Sequence, residues 1–390
     1  MPAAPRRLKV LQVLPSLDNG GVERGTLEIA RALVVAGHDS YVLSAGGTLV
    51  PRLEREGSRH IAIDLGRKSP LTFLKFLAMR RLLVREKFDI LHVRSRLPAW
   101  VMWLAWRGMD PATRPKLVST VHGLYSVNRY SEIMCCGERV IAVSETVLDY
   151  IRKNYPRTDL SKVELIHRGV DPEEFPAGYK PPPEWLESWY QQFPNTRNRL
   201  LITLPGRITR LKGHHEFIDL VAQLRTEGVP VHGLIVGGED PKRRAYAHEL
   251  RMEVVARGLA GDITFTGSRS DIRDVYAISS VVLSLSTQPE SFGRTVVEAL
   301  SIGTPVVGYD HGGVGEILRR LYPGGAVHAG DRHGLRRAVE KLLASPVTVS
   351  VDPVFLLETM TSRTLAVYEE LRAGAVAAGL PVLSRSDPMP

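Results

Sequence analysis

The chain reads as an α/β protein made of two doubly wound, Rossmann-like domains facing each other across a cleft. Three observations lead there. Short apolar runs rich in Val, Ile and Leu alternate with stretches of helical periodicity along most of the sequence, and continuously apolar strands separated by helices form a parallel sheet covered on both faces. The alternation weakens once, over residues 172–198 around Pro181, Pro182 and Pro183, and then restarts. A length of 390 residues with 44% hydrophobic content fills two cores more readily than one.

In order, strands are expected at residues 8–14, 40–43, 61–63, 90–93, 116–121, 139–143 and 163–166, with helices between them, as at 22–36 and 71–87. After the break, strands are expected at 200–204, 231–236, 263–266, 281–285 and 305–307, with a last helical stretch at 353–372. The domain reading is therefore 1–175, a connection at 176–198, a second domain at 199–352, and a closing helix and tail at 353–390. Ligands of such sheets gather beyond the carboxyl ends of the strands. Attention falls on the segments placed there.

Several function classes are set aside early. The segment Asn19-Gly20-Gly21-Val22-Glu23 follows the first strand and opens the first helix, where glycines let backbone approach a ligand. A plain βα turn looks the same, and the spacing is not Gly-x-Gly-x-x-Gly, which disfavours a dinucleotide oxidoreductase. The only cysteines, Cys135 and Cys136, are adjacent; they suit neither a disulfide framework nor a zinc site and are expected as buried thiols. No Asp-x-Asp metal motif is present. The start of the chain lacks an apolar signal core and no apolar run approaches the ~18 residues of a membrane span, so a cytoplasmic location is expected.

The net charge of +9 is unevenly placed: residues 1–175 hold 27 Lys and Arg against 19 Asp and Glu. Between 67 and 116 there are 12 basic residues against three acidic, interleaved with Phe73, Phe76, Trp100, Trp103 and Trp106. Clustered cations with interfacial aromatics suggest an anionic membrane surface, so peripheral attachment to the inner face of the cytoplasmic membrane is expected. A solvated basic helix over core tryptophans is the plainer reading. Nucleic acid is disfavoured because no recognised nucleic-acid module accompanies the patch.

The most informative segment is Glu290-Ser-Phe-Gly-Arg-Thr-Val-Val-Glu298, followed by Gly303-Thr304-Pro305-Val306-Val307. Gln288 and Pro289 read as loop, Phe292 and Gly293 as a turn, and 295–302 as a helix whose N-terminus favours an anion. Glu290 lies in the loop and Glu298 about one turn inside the helix, so the two carboxylates can face one elongated ligand at different points. Upstream, Gly206-Arg207 with Lys212 ends the second domain's first strand, where a guanidinium fork and a compact ammonium together suit a diphosphate. Val236-Gly237-Gly238, the loop at Ser268-Arg269 and Asp310-His311-Gly312-Gly313 are further strand-end turns, and His122 with Gly123 follows the strand at 116–121.

With these pieces in this order, the chain resembles retaining glycosyltransferases of the GT-B fold, family 4, the group 1 and lipopolysaccharide-core type, over nearly its whole length. The resemblance implies that Glu290 binds hydroxyls of a donor hexose and Glu298 the ribose hydroxyls of the nucleotide. It makes His122, Arg207, Lys212 and Glu290 the catalytic set, with His122 orienting the sugar and Arg207 and Lys212 neutralising the leaving diphosphate. Donor contacts are implied for Gly20, Gly21, Gly237, Gly238, Arg269, Phe292, Gly293, Arg294, Thr295 and Glu298, with Arg269 acting through its backbone. It also implies a closing helix that crosses back to the first domain, no metal or cofactor, and no protein base, since the departing phosphate can take the acceptor's proton. Two departures stand out: Ser291 replaces a frequent glycine, and His167-Arg168-Gly169-Val170-Asp171 stands where many relatives have Pro-Asn-Gly-Val-Asp.

The expected activity is transfer of a hexose from a nucleotide sugar, UDP-linked in the first instance with GDP- and ADP-sugars as alternatives. The basic, aromatic first domain suggests a glycan or glycolipid acceptor such as lipopolysaccharide core. A transferase with a soluble acceptor and a non-catalytic nucleotide-sugar-binding protein are the alternatives.

Overall fold

The computed structural model describes residues 7–18, 20–239, 244–345, 347, 349 and 351–374. Asn19, the first six residues and 375–390 of the expected tail lie outside the described residues. The chain divides into two compact units, one made of residues 1–167 with 359–390 and the other of 168–358.

The first unit holds a seven-stranded sheet: β1 (Lys9–Val13), β2 (Asp39–Ser44), β3 (Arg59–Ala62), β4 (Ile90–Val93), β5 (Lys116–Val121), β6 (Arg139–Ala142) and β7 (Val163–Leu165). Its spatial order is β3-β2-β1-β4-β5-β6-β7, every pair parallel. Strands such as β4, Ile-Leu-His-Val, are buried along their whole length, as helices on both faces require. The order reverses between β1 and β4, which makes the crevice beyond those two strands the topological switch point. The helix Leu357–Ala373 belongs with this unit from Thr359 onward. Its Tyr368 hydroxyl is joined to buried His92 Nδ1 at 2.6 Å, and His92 Nε2 meets Thr120 Oγ1 at 2.6 Å. Burial drives the His92 pKa well below its ordinary value, so it is a neutral, structural histidine.

The second unit holds β8 (Leu200–Pro205), β9 (Val231–Val236), β10 (Ile263–Gly267), β11 (Val281–Ser284), β12 (Val306–Tyr309) and β13 (Ala326–Val327) in the parallel order β10-β9-β8-β11-β12-β13. Here the switch point lies between β8 and β11. Two doubly wound parallel sheets are thus the architecture anticipated from the apolar periodicity.

Several expectations are corrected. Residues 176–198 are not a linker: Pro183 starts the helix Pro183–Gln192, and its buried Trp189 packs with Leu201, Leu234, Val236 and Val275 on the second unit's sheet. Residues 168–175 also join the second unit, because Val170 pairs with Leu356 and Ser301 Oγ donates to the Phe175 carbonyl at 2.7 Å. The expected helix 71–87 is two helices, Pro70–Leu74 and Phe76–Glu86, meeting at Lys75, whose ammonium is drawn to the Asp64 carbonyl at 2.7 Å. Cys136 is exposed and Cys135 half-buried against the edge of the first unit's core, both as free thiols, so the expectation of two buried thiols fails for Cys136.

Candidate functional site

In the second unit the expected residues converge on the switch point between β8 and β11. Gly206 and Arg207 leave the end of β8, and the turn Arg210–Lys212 follows. The turn after β9 presses against them: a Cβ at Gly237 would overlap the Gly206 carbonyl, so a side chain there would force the two strand ends apart. The Ile208 amide then donates to the Gly238 carbonyl at 3.1 Å, which fixes the two turns together.

Beyond β11, Ser286 begins the loop that carries Glu290. The Lys212 ammonium donates to Glu290 Oε1 at 2.7 Å, and the Ser286 hydroxyl donates to the same oxygen. Both charged side chains remain partly open to solvent. The loop is held at two further points. The Thr287 amide donates to the Leu211 carbonyl at 2.9 Å and the Gly313 amide to the Glu290 carbonyl at 2.7 Å. Gly312, with φ +58°, sits so close that a Cβ would overlap Glu290 backbone, which is why the loop after β12 needs glycine. His311 Nε2 donates to the Ser286 carbonyl at 2.7 Å, which assigns the ring proton to that nitrogen.

The helix Arg294–Ile302 starts at Gly293, which supplies no side-chain cap, so its first N–H groups and dipole are directed toward the loop. Glu298 is only 3% exposed. Its carboxylate accepts from Arg294 Nε at 3.0 Å, an i,i+4 pair, and from the Tyr276 hydroxyl at 3.4 Å. Thr295 is half-buried on the same helix.

Of the implied donor contacts, one changes character and one keeps the role expected of it. Phe292 is buried in the core and packs against Phe355 with ring centroids 6.1 Å apart, so its ring anchors the loop rather than facing a ligand. The Arg269 guanidinium is committed to Asp271, at 2.8 Å from Nε, and lies over the Trp189 ring, leaving only its backbone for a ligand. Arg207 is the reverse: it is exposed and makes no ion pair with an acidic group among the described residues. An exposed guanidinium, a partly open ammonium and a helix N-terminus together make a positively polarised crevice suited to an anion, with the Glu290 carboxylate beside it. No cluster of metal-ligating side chains occurs among the described residues.

The first unit contributes separately. Gly20 precedes the helix Gly21–Val35 at its own switch point, where a Cβ at Gly20 would overlap the Glu23 carboxylate. His122 follows β5, with its amide donating to the Tyr125 hydroxyl at 3.2 Å.

Ser286 has no place in the sequence reading, and His311 enters it only as part of the strand-end turn Asp310-His311-Gly312-Gly313, with no role of its own. Ser286 follows β11 as His311 follows β12, and that position could have marked it too; their partners are a loop carboxylate and a carbonyl that periodicity does not register.

Two parallel doubly wound units, the second with a crevice suited to an anion beyond the strand ends at its switch point, define the class of α/β proteins that bind ligands at such crevices. Residues 19–174 match Glycosyltransferase Family 4 and residues 187–351 match Glycosyl transferases group 1. The chain belongs to this GT-B group 1 glycosyltransferase family. It is 29% identical over 284 residues to a D-inositol 3-phosphate glycosyltransferase of Gordonia bronchialis, an alignment covering 66% of this chain and 59% of the relative. It is 30% identical over 182 residues to the lipopolysaccharide core biosynthesis mannosyltransferase LpcC of Rhizobium leguminosarum bv. viciae, covering 44% of this chain and 51% of the relative. The chain thus spans roughly half to three-fifths of the length of these curated relatives. Among solved structures, a glycosyltransferase from Rickettsia africae ESF-5 superposes with a TM-score of 0.82 at 28% identity, covering 94% of this chain and 99% of the other. Anabaena Alr3699/HepE in complex with UDP and glucose gives 0.74 at 21% identity, covering 96% and 100%, a likeness of fold.

Proposed function

We propose that the protein is a retaining, metal-independent hexosyltransferase that uses a nucleotide-diphosphate sugar, UDP-linked in the first instance, and a lipid-linked or envelope glycan acceptor such as lipopolysaccharide core. The observation that carries the reading is the Lys212–Glu290–Ser286 cluster at the β8/β11 switch point, with Arg207 open beside it. In this reading Arg207 and Lys212 hold the diphosphate and stabilise the charge that builds on it as the glycosidic bond breaks. Glu290 accepts hydroxyls of the hexose, Glu298 those of the ribose, and the backbone at Gly237, Gly238, Gly293, Arg294, Thr295 and Arg269 lines the nucleotide. Gly20, Gly21 and His122 of the first unit are assigned to the donor as well, His122 as a sugar-orienting group. The names of LpcC and of the UDP- and glucose-bound Anabaena protein support the acceptor and donor classes.

The location proposed is the inner face of the cytoplasmic membrane. Leu71 and Leu74 are 70% and 64% exposed on the helix Pro70–Leu74, and Leu77 and Val84 are exposed on the helix that follows, beside exposed Arg67, Lys68, Arg81 and Arg85. Apolar side chains ringed by cations suit an anionic bilayer surface. Arg80 is not part of this surface, since its guanidinium donates to the carbonyls of Ala105 and Leu104. No helix among the described residues is long and apolar enough to cross a membrane.

The test is transfer itself. Incubation with UDP-, GDP- and ADP-hexoses and a truncated lipopolysaccharide core, with the product followed by NMR, should give a glycoside of the donor's anomeric configuration at a rate unchanged by EDTA. An inverted product, or inactivation by EDTA reversed by manganese, contradicts the proposal.

A further inference from the structure

The first unit carries a second concave site that the donor chemistry does not use. A groove of about 710 Å³ runs along the helix Arg96–Arg107 and is lined by Trp100, Trp103, Arg107, Arg129, Glu132 and Arg157. That volume falls within the ~300–1,000 Å³ typical of ligand sites. Its place in the fold separates it from the reacting end. Arg107 ends its helix, Cys135 and Cys136 immediately precede β6, and Arg157 and Thr158 lie between the helix Glu145–Asn154 and β7. These points lie toward the amino ends of the parallel strands, and Trp100 and Arg129 extend the groove back along the segments that follow β4 and β5, whereas Gly20, Gly21 and His122 follow the carboxyl ends of β1 and β5. Strands of four to six residues at ~3.3 Å each put the two ends roughly 13–20 Å apart.

The lining has an ordered chemistry. Trp100 and Trp103 meet edge to face with centroids 5.7 Å apart and planes at 81°, and the Trp100 indole N–H donates to the Tyr130 carbonyl at 2.9 Å. The pair is therefore a fixed corner rather than two loose surface rings. The Arg107 guanidinium rests 5.1 Å from the Trp103 ring centroid, held beside the groove by the ring's quadrupole. Arg157 is bonded to Glu132 at 3.0 and 2.6 Å, which neutralises the one acidic group in the lining. Arg107 and Arg129 make no ion pair among the described residues, so the groove keeps two uncommitted positive charges.

We propose that this groove is a remote subsite for an anionic glycan, one whose sugars carry carboxylate or phosphate groups. The two perpendicular indoles, partly buried against the first unit's core, line the groove with apolar ring surface beside the arginines, which suits a sugar ring with an apolar C–H face and hydroxyls around its rim. A nucleobase sandwich would require parallel rings. The planar fork of arginine binds a carboxylate or a phosphate bidentately, which fixes the charged substituent while the ring packs on tryptophan. A bilayer is the less suitable occupant because the site is concave, and the protruding Leu71, Leu74 and Leu77 lie on other helices. Extending from the segment after β5 toward the amino ends of the strands, the subsite grips a part of an extended acceptor or its product beyond the sugar that reacts. It goes beyond the transferase reading and does not depend on turnover.

The experiment is calorimetric titration of the whole chain with tetragalacturonate, which carries one carboxylate per ring, and with neutral maltotetraose, each with and without saturating UDP. Tetragalacturonate should bind at least about tenfold more tightly than maltotetraose, with no change on adding UDP. Trp103→Ala and the double variant Arg107→Glu, Arg129→Glu should each weaken it by about tenfold or more, as expected for losing a stacking surface or two charged contacts. Trp103→Phe should retain most of the affinity, which keeps the test valid if the alanine variant folds poorly. Equal binding of the neutral sugar, indifference to these variants, or displacement by UDP overturns the proposal. Loss of anionic-liposome sedimentation in the arginine variant without loss of tetragalacturonate binding also overturns it and makes the groove a lipid-headgroup site. A failure of sugar transfer with the glycan titration intact would instead count against the transferase reading alone.

Discussion

Replacing Glu298 separates what this carboxylate does for the fold from what it does for the ligand. Its side chain is nearly closed to water and is paired with Arg294 Nε at 3.0 Å, itself 16% exposed. Removing one member of a fully buried pair costs about 3–5 kcal/mol, but Arg294 retains some water, so Glu298→Ala should destabilise by about 2 kcal/mol. Glu298→Gln keeps an acceptor for Arg294 and Tyr276 and should lose about 1 kcal/mol. The ligand term is distinct: a lost charged hydrogen bond to ribose is worth about 1.5–3 kcal/mol, or roughly 10–150-fold in Kd. Titrating UDP, GDP and ADP into wild type, Glu298→Gln and Arg294→Ala, with urea unfolding alongside, resolves the two. The glutamine variant should fold well yet bind its best nucleotide at least about tenfold more weakly, while Arg294→Ala should lose stability with a smaller loss of affinity. If Glu298→Gln bound within twofold of wild type, the ribose assignment would be wrong.

Lys212→Ala removes a cation from the crevice and should lower kcat/KM by about 10²–10³, with EDTA without effect on wild type; normal turnover in this variant would refute its role. His311→Ala frees the Ser286 carbonyl and should lower kcat about fivefold with nucleotide affinity unchanged, whereas His311→Gln should recover most of it; equal activity of the two variants would leave His311 without a positioning role. Burial pushes His214 and His232 down to about 4 and holds His92 well below its ordinary value. Because these histidines take up protons near 6.5 in the unfolded chain, stability should be complete above pH ~6.5 and fall by up to about 1.4 kcal/mol per histidine per pH unit below it; a urea midpoint unchanged between pH 7.5 and 5 would contradict this. Liposomes containing anionic lipid should sediment the protein at low salt and release it near 1 M, where the Debye length is ~3 Å, and Leu71→Glu with Leu74→Glu should abolish sedimentation; sedimentation independent of salt would refute the electrostatic attachment.

Much of this architecture is written in local pattern. The strands β8 and β9 are apolar runs interrupted only by Thr203 in the one and by His232 and Gly233 in the other, and their period and length leave little else they could form. The Glu290 to Glu298 spacing was equally legible, since a loop, a turn and a helix start follow from residue type alone. What sequence could not give was commitment. Whether Arg80 faced solvent or the carbonyls of a neighbouring helix depended on partners 25 and 24 residues away, and Asp271, only two residues after Arg269, carries no mark in the sequence of the guanidinium it binds. The 176–198 segment was misread for a related reason: three prolines look like a linker, but Pro183 sits at the first turn of a helix, where its missing N–H costs nothing, and Trp189 supplies the burial that docks it. Phe292 looked like a ligand contact from its place between two glutamates, and only the opposing Phe355, far along the chain, shows it to be core.

The central claim is that the β8/β11 crevice holds a nucleotide sugar through Lys212 and Glu290. A thermal-shift panel of UDP-, GDP- and ADP-sugars against wild type, Lys212→Ala and Glu290→Ala tests it most directly. At a hundredfold excess over Kd a true donor adds about 2.7 kcal/mol to the stability of the folded state. The account predicts that one nucleotide sugar raises the wild-type Tm beyond its own nucleoside diphosphate, that Glu290→Ala keeps the nucleotide shift but loses the extra sugar increment, and that Lys212→Ala loses both. A wild-type protein that no nucleotide sugar stabilises, or a sugar increment that survives in Glu290→Ala, would contradict it.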